Sequence, residues 1–309
     1  MTKEQIINST ILKKRFIRDC GLPITVYDNP YFLQRLGTIN SLFDCVSKFE
    51  RFCKELEAFN SEQSYLEWYN AIKDKIIDAI KNHPKYQEFN ELTISKTIKE
   101  VGKNNLYIEP NDRLSFISID MKKANFSSMR FFAPEIFCGC ETWEEYVGRF
   151  TDSKHFTDSK YIRQVIFGAC NPKRQIKYES YLMEQVYNGI KKVFPQIEVF
   201  SLGEDEIIIP LVQHGSEIYS ISSIKNAIPD ELRSIVRVDV FVLKKIGNYG
   251  WLKTYPFVKP TKIEFKCVDA EIFHQIVKQY HCVQITEDDL VFYHNGQLAR
   301  FLKEISNPW

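Results

Sequence analysis

Two groups of carboxylates stand where apolar strands should end. Asp120 closes the alternating run Leu114-Ser115-Phe116-Ile117-Ser118-Ile119. Glu204-Asp205-Glu206 occupies a tight turn between Val199-Phe200-Ser201-Leu202 and Ile207-Ile208-Ile209. Carboxylates crowded at a turn repel one another and lose hydration, so a divalent cation is their natural partner. Set side by side on neighbouring strands, Asp120 and Asp205 would hold two Mg²⁺ or Mn²⁺ ions. Such a pair activates a hydroxyl nucleophile and stabilises the pyrophosphate that leaves a nucleoside triphosphate. Taken singly, each acidic site is explained as well by the ordinary preference of Asp and Glu for turns.

Between the two sites lies Arg163-Gln164-Val165-Ile166-Phe167-Gly168-Ala169-Cys170-Asn171. With this segment the chain resembles the palm-domain nucleic-acid polymerases. Asp120-Met121-Lys122-Lys123-Ala124-Asn125-Phe126-Ser127 is similar to motif A, in the D-x-x-x-A-x-F-S form of reverse transcriptases. Glu204-Asp205-Glu206-Ile207 resembles motif C, in the Asp-Glu form of family A DNA polymerases. Arg163, Phe167 and Gly168 match the spacing of the family A motif B helix, K-x-x-x-F-G-x-x-Y-G, while Asn171 and Pro172 depart from it. The motifs follow in the order A, B, C and cover residues 110–212, about a third of the chain. The gap from Asp120 to Asp205 is similar to that in reverse transcriptases and far shorter than in family A enzymes. It is longer than in GGDEF-type cyclases, whose L-G-G-D-E-F signature Leu202–Ile207 otherwise resembles.

The resemblance implies roles. Asp120 and Asp205 would be metal ligands, with Glu206 as an auxiliary carboxylate and the backbone carbonyl after Asp120 assisting. Arg163, Lys173 and Arg174 would neutralise the incoming triphosphate, and Phe167 would stack on the nascent pair. Asn125 falls where polymerases keep a sugar-selecting side chain and is smaller than the usual Glu, Tyr or Phe. Phe126 would join it at the active site. The implied activity is two-metal nucleotidyl transfer by a minimal DNA polymerase or reverse-transcriptase-like enzyme. It would extend a 3′-hydroxyl on a primer–template with nucleoside triphosphates and two Mg²⁺ or Mn²⁺ ions. Two other classes stay open. One is a template-independent or signalling oligonucleotide synthase. The other is a non-catalytic nucleic-acid-binding subunit with a palm-like fold.

The elements that must position these groups suggest an α+β fold, a polymerase-like palm whose antiparallel sheet is backed by helices. Residues 1–108 read as a helical, thumb-like region. Apolar positions recur at helical spacing from Phe32 to Phe52, and a second helix follows Ser61 and ends at His83-Pro84. Residues 109–211 read as the palm, with a helical finger insertion over about 130–193. Thr157-Asp158-Ser159 looks like a cap for a helix that Asn171-Pro172 closes. Residues 212–309 carry the rest of the palm and a C-terminal α+β element. There, strands over 236–243 and 263–268 precede a helix over 269–280 and an Asn295-Gly296 hairpin.

Composition narrows the classes further. In 309 residues, Lys+Arg 41 against Asp+Glu 40 gives a net charge of +1, so phosphate binding must come from local basic clusters rather than bulk charge. A hydrophobic share of 44% with only 12 Gly and 12 Pro indicates a folded chain without long flexible linkers. The 23 Phe and 16 Tyr read first as a large aromatic core. Eight cysteines without a C-x-x-C pair read as reduced thiols. No apolar stretch has the length of a signal peptide or a membrane span, so the expectation is an unexported, cytoplasmic protein. A chain this short is tight for thumb, fingers and palm together, which leaves room for a protein partner that completes the enzyme.

Overall fold

The computed structural model describes residues 1–95, 97–98, 101–102, 105–211, 219–303 and 305–306. The first hundred residues form α1 (Lys3–Asn8), α2 (Thr10–Cys20), α3 (Tyr31–Phe43), α4 (Cys45–Leu56), α5 (Glu62–Lys81) and α6 (Pro84–Glu91). The apolar positions from Phe32 to Phe52 are shared between α3 and α4, because Asp44 adopts a left-handed backbone (φ 49) and parts them. Ser61 caps α5 by accepting from the Ser64 N–H, and Pro84 opens α6 at a position where the missing N–H costs nothing.

The first strand, β1 (Ser115–Met121), is followed by α7 (Ala124–Phe132), α8 (Trp143–Val147), α9 (Lys154–Asp158), α10 (Lys160–Gly168) and α11 (Pro172–Val193). Next come β2 (Ser201–Leu202), β3 (Glu206–Pro210), α12 (Ile221–Ala227), α13 (Asp230–Arg233) and β4 (Val236–Ile246). Two further strands, β5 (Gly250–Tyr255) and β6 (Lys262–Lys266), complete an antiparallel six-stranded sheet in the order β2-β3-β1-β4-β5-β6. Strands and helices from β1 to β4 alternate as a split βαβ unit, with β1 and β3 central among the first four strands. Beyond the sheet lie α14 (Phe273–Tyr280), α15 (Glu287–Leu290) and the hairpin of β7 (Val291–His294) and β8 (Gln297–Arg300). Asn295 and Gly296 both have positive φ at that hairpin's turn, as a type I′ turn requires. Strand β5 and helix α12 were not apparent from sequence; Gly250-Trp251-Leu252-Lys253 breaks the polar alternation that marks a strand.

Alternation gives the central sheet two unlike faces. Ile117, Ile119 and Met121 of β1, Ile207 and Ile209 of β3, and Val236, Val238 and Val240 of β4 point to one side. They bury against Leu182, Met183, Val186 and Ile190 of α11 and against α12. The other side is apolar at one end, where Phe116, Ile208, Phe241 and Trp251 cluster, and charged at the other.

The helices are not divided as the sequence suggests. The N-terminal helices share one core with α7–α10, in which Phe16, Phe52, Phe126, Trp143, Phe156 and Phe167 are buried together. Residues 130–170 therefore join the N-terminal region in a single helical body, while α11 backs the sheet. The boundary at 211–212 adjoins residues outside those described. Among the described residues no helix is long and apolar enough to cross a membrane.

One close approach locks α11 to the chain leading into β4. A Cβ on Gly189 would lie 2.7 Å from Pro229 Cδ and 2.8 Å from the Ala227 carbonyl oxygen. Neither backbone nor proline ring can yield cheaply, so Gly189→Ala should lose more by overpacking (about 1–3 kcal/mol) than it gains in helix propensity (about 1 kcal/mol). A lower thermal midpoint is the expected outcome, and an unchanged or raised one would show that the contact is soft.

Candidate active site

Both acidic sites come to the same end of the sheet. Asp120 pairs across the ladder with Glu206 on β3 and with Arg237 on β4, so all three side chains lie on the face away from α11. Gly203–Asp205 form the turn between β2 and β3, closed by the Gly203 N–H donating to the Glu206 carbonyl at 2.9 Å. The Met121 N–H donates to the Asp205 carbonyl at 2.8 Å, which holds that turn against the end of β1. After Met121 the chain reverses through Lys123, whose positive φ of 47 starts α7 and brings Asn125 and Phe126 alongside.

These residues line a cavity of about 1000 Å³ between the charged sheet face and the helical body. Its helical wall includes Arg163 and Gln164 of α10 and Glu179 of α11. Burial lowers the pKa of Arg163, and its Nε is buried with no hydrogen-bond partner among the described residues. A guanidinium so placed has given up water without gaining a partner, which is costly unless an anion completes it.

Charges of both signs alternate across the sheet face. Arg237 Nη2 lies 2.8 Å from Asp120 and its Nε lies 3.7 Å from Asp239. Glu206 accepts from the Ser118 hydroxyl at 2.5 Å and lies 4.0 Å from Lys253 Nζ. Lys253 is 4% exposed, its ammonium 4.1 Å from the centre of the Phe241 ring. Farther along, burial raises the Glu264 carboxyl, but Lys262 and Lys266 overcome that and hold it at about 2. Glu179 has no such cation. Burial, then the charges of Asp205 and Glu204, push its carboxyl up to about 7, and it accepts from Asn125 Nδ2 at 3.3 Å.

Of the residues singled out from sequence, Asp120, Asp205, Glu206, Arg163, Asn125 and Phe126 line this cavity. The Phe126 ring itself packs on Phe137 (4.8 Å) and Trp143 (6.2 Å). Phe167 is not at the cavity. It is fully buried, 5.4 Å from the Trp143 ring, because α10 turns this side of its amphipathic pattern into the helical core. Lys173 and Arg174 are also absent from the lining. The chain breaks at Asn171 (φ 53) and begins α11 anew, so the motif B correspondence ends at Gly168. Arg174 there donates to the Tyr178 hydroxyl and the Leu92 carbonyl. Arg237, Lys253 and Glu179 are site residues that the sequence reading missed. Val236-Arg237-Val238-Asp239-Val240 did carry a signal, since its alternation puts Arg237 and Asp239 on one face. Glu179 has none, being one acid among many on a long helix.

The donor set at the sheet end is all oxygen, as Mg²⁺ and Mn²⁺ prefer. Among the described residues no group of three or more His, Cys, Asp or Glu side chains is arranged to hold a metal. That is compatible with Mg²⁺, which is commonly held by one or two carboxylates plus the phosphates of its substrate. The upward shift of Glu179 indicates negative charge that no nearby side chain fully offsets. The residues therefore fit a hard divalent cation. No protein-family model, characterised protein or solved structure matches the chain.

The Glu179 shift has a consequence for stability. Its carboxyl goes from an ordinary 4.5 to about 7 on folding, so between these pH values the folded state binds more protons than the unfolded state. Stability from this group is therefore fully present below about 4.5 and is lost as pH rises through 7. Glu179→Gln should match the wild type near pH 4 and exceed it at pH 8 by a few kcal/mol, on the order of 3. Denaturant unfolding at the two pH values measures this difference, and an equal gap at both would contradict it.

Proposed function

We propose that the chain is a two-metal nucleotidyltransferase with a polymerase-like palm, extending a 3′-hydroxyl with nucleoside triphosphates. The observation that carries this reading is the convergence of Asp120 and Asp205 at one sheet end. They stand far apart in sequence, are fixed together through the Met121–Asp205 backbone bond, and face a cavity whose opposite wall presents the desolvated Arg163. The split βαβ connectivity, with one acid at the end of β1 and the other in the β2–β3 turn, supports the palm reading.

Asp120 and Asp205 would hold the cations, with Glu206 as an auxiliary carboxylate beside them. When bound, the ions would activate the attacking hydroxyl and offset charge on the leaving pyrophosphate. The protein's own groups account for the rest. Arg163 supplies a cation that is already dehydrated, so its attraction for phosphate oxygens is little weakened by solvent. Lys122, Lys123 and Lys160 border the same cavity, although Lys123 also pairs with Glu144. Arg237 neutralises Asp120 before substrate arrives. It is half-exposed and already near Asp239, so it has a second carboxylate when a cation takes Asp120.

Asn125 borders the region where the sugar would lie, and its Nδ2 is engaged by Glu179. A bulky side chain at that place would press on a 2′-hydroxyl; Asn125 is too short to do so. The polymerase type and the need for a template are read from the product.

The test is incorporation of labelled dNTPs and NTPs on a primer–template, and on a primer alone, with Mg²⁺ or Mn²⁺. Asp120→Ala and Asp205→Ala should each lower turnover by at least about a hundredfold, and Arg163→Gln should lower kcat/KM by about the same factor. Activity of the two Asp variants equal to the wild type would sink the assignment. A protein that binds nucleic acid but never joins nucleotides would instead fit the non-catalytic subunit.

A further inference from the structure

A second cavity opens in the helical body, bordered by Asp19 of α2, Lys48 and Arg51 of α4, Lys154 and His155 of α9, and Lys160 of α10. Its volume is about 100 Å³, a tenth of that of the first, so it suits a small group and not a nucleoside. Its floor is internally compensated. Asp19 is fully buried and its Oδ2 lies 3.1 Å from His155 Nε2, while its Oδ1 accepts from the Tyr69 hydroxyl at 3.3 Å. Phe16 and Phe52 hold the His155 ring, at 5.9 and 4.4 Å between ring centres.

The rim is not compensated. Lys48 donates to the Phe43 carbonyl at 2.6 Å, a neutral partner. No acid of the described residues lies within ion-pair distance of Arg51, Lys154 or Lys160, all three of which are exposed. The rim's one acid, Asp158, leaves a net positive charge. Four cations around a space this small, above a floor whose own acid is satisfied, make a site for a tetrahedral oxyanion.

Position says which oxyanion. Lys160 lines both cavities, and Arg163 stands one turn farther along α10, facing the first. The cations thus run without interruption from the second cavity into the first. We propose that the second cavity binds a backbone phosphate of a single-stranded polynucleotide whose 3′ end lies in the first cavity. The identity of the strand rests on the nucleotidyltransferase reading; the anion site rests on its own residues.

The experiment is fluorescence anisotropy with a fluorescein-labelled oligothymidylate of about twenty nucleotides, without nucleotide or divalent metal, across a salt series. The double variant Arg51→Gln/Lys154→Gln removes two exposed rim charges and leaves the His155–Asp19 floor intact. Its Kd should rise about tenfold at low salt. Its slope of log affinity against log salt should become shallower by about 1.4, or 0.7 for each lost phosphate contact. An unchanged Kd and slope would overturn the proposal, as would an oligonucleotide that the wild type does not bind. So would a variant that loses inorganic phosphate, followed by calorimetry, yet keeps the oligonucleotide, for the cavity would then serve a free anion. Because binding is read without metal or nucleotide, failure here leaves Asp120-dependent incorporation standing. Failure of incorporation likewise leaves this binding result standing.

Discussion

The register of β1 is the constraint on which the rest depends. Asp120, Glu206 and Arg237 meet only because β1 pairs antiparallel with β3 on one side and β4 on the other at fixed partners. Shifting β1 by one residue would turn Asp120 into the apolar layer under α11 and bring Ile119 or Met121 to the charged face. That shift is opposed by Ile117, Ile119, Met121, Ile207 and Val238, all buried against α11 and α12. The apolar layer thus aligns the acids without touching them. The Met121–Asp205 hydrogen bond continues the same pairing one step past β3, and so the turn acid is set by the sheet as well.

A face so crowded with charge is tolerable because its signs alternate. Asp120 with Arg237, Glu206 with Lys253, and Glu264 with Lys262 and Lys266 form pairs across neighbouring strands. Such partly buried pairs contribute little net stability, since desolvation offsets most of the attraction. Their value lies in holding several ionised groups in one place without collapse or swelling. Two groups fall outside this pairing, Glu179 with an acid's excess and Arg163 with a base's. They sit on the helical side of the cavity, and each is raised in energy by what it lacks. A substrate that brings both phosphates and divalent cations supplies both deficits at once.

The sheet end was legible in sequence because strand alternation and turn chemistry are local. Ile117-Ser118-Ile119-Asp120 and Leu202-Gly203-Glu204-Asp205 each announce their structure within a few residues, and the cap at Ser159 does the same for α10. What was not legible depends on distant packing. Phe167 belongs to a helix whose exposed and buried sides are decided by Trp143 and Phe137, far along the chain. Lys173 and Arg174 follow Arg163 closely in sequence, yet the left-handed Asn171 sends them elsewhere. The same limit hid the union of the N-terminal helices with α7–α10. An amphipathic helix reveals which side it buries and not what it buries it against.

That union bears on how so short a chain can serve a cleft. A thumb and fingers built as separate lobes would each need a core, and small cores stabilise poorly. Here Phe16, Phe52, Trp143, Phe156 and Phe167 belong to one core, so α10 is held by the N-terminal helices it packs on, α2 and α5. Arg163 is presented from that body toward acids held by the sheet, and the cavity's two walls therefore come from two separately stabilised layers. The aromatic excess of the composition follows from this arrangement. Rings fill large volumes between short helices such as α8 and α9, which could not otherwise bury enough surface to stay in place. Few of those rings are left to face a base, and recognition at this cavity must rest on charge and on the sugar's hydroxyls more than on stacking.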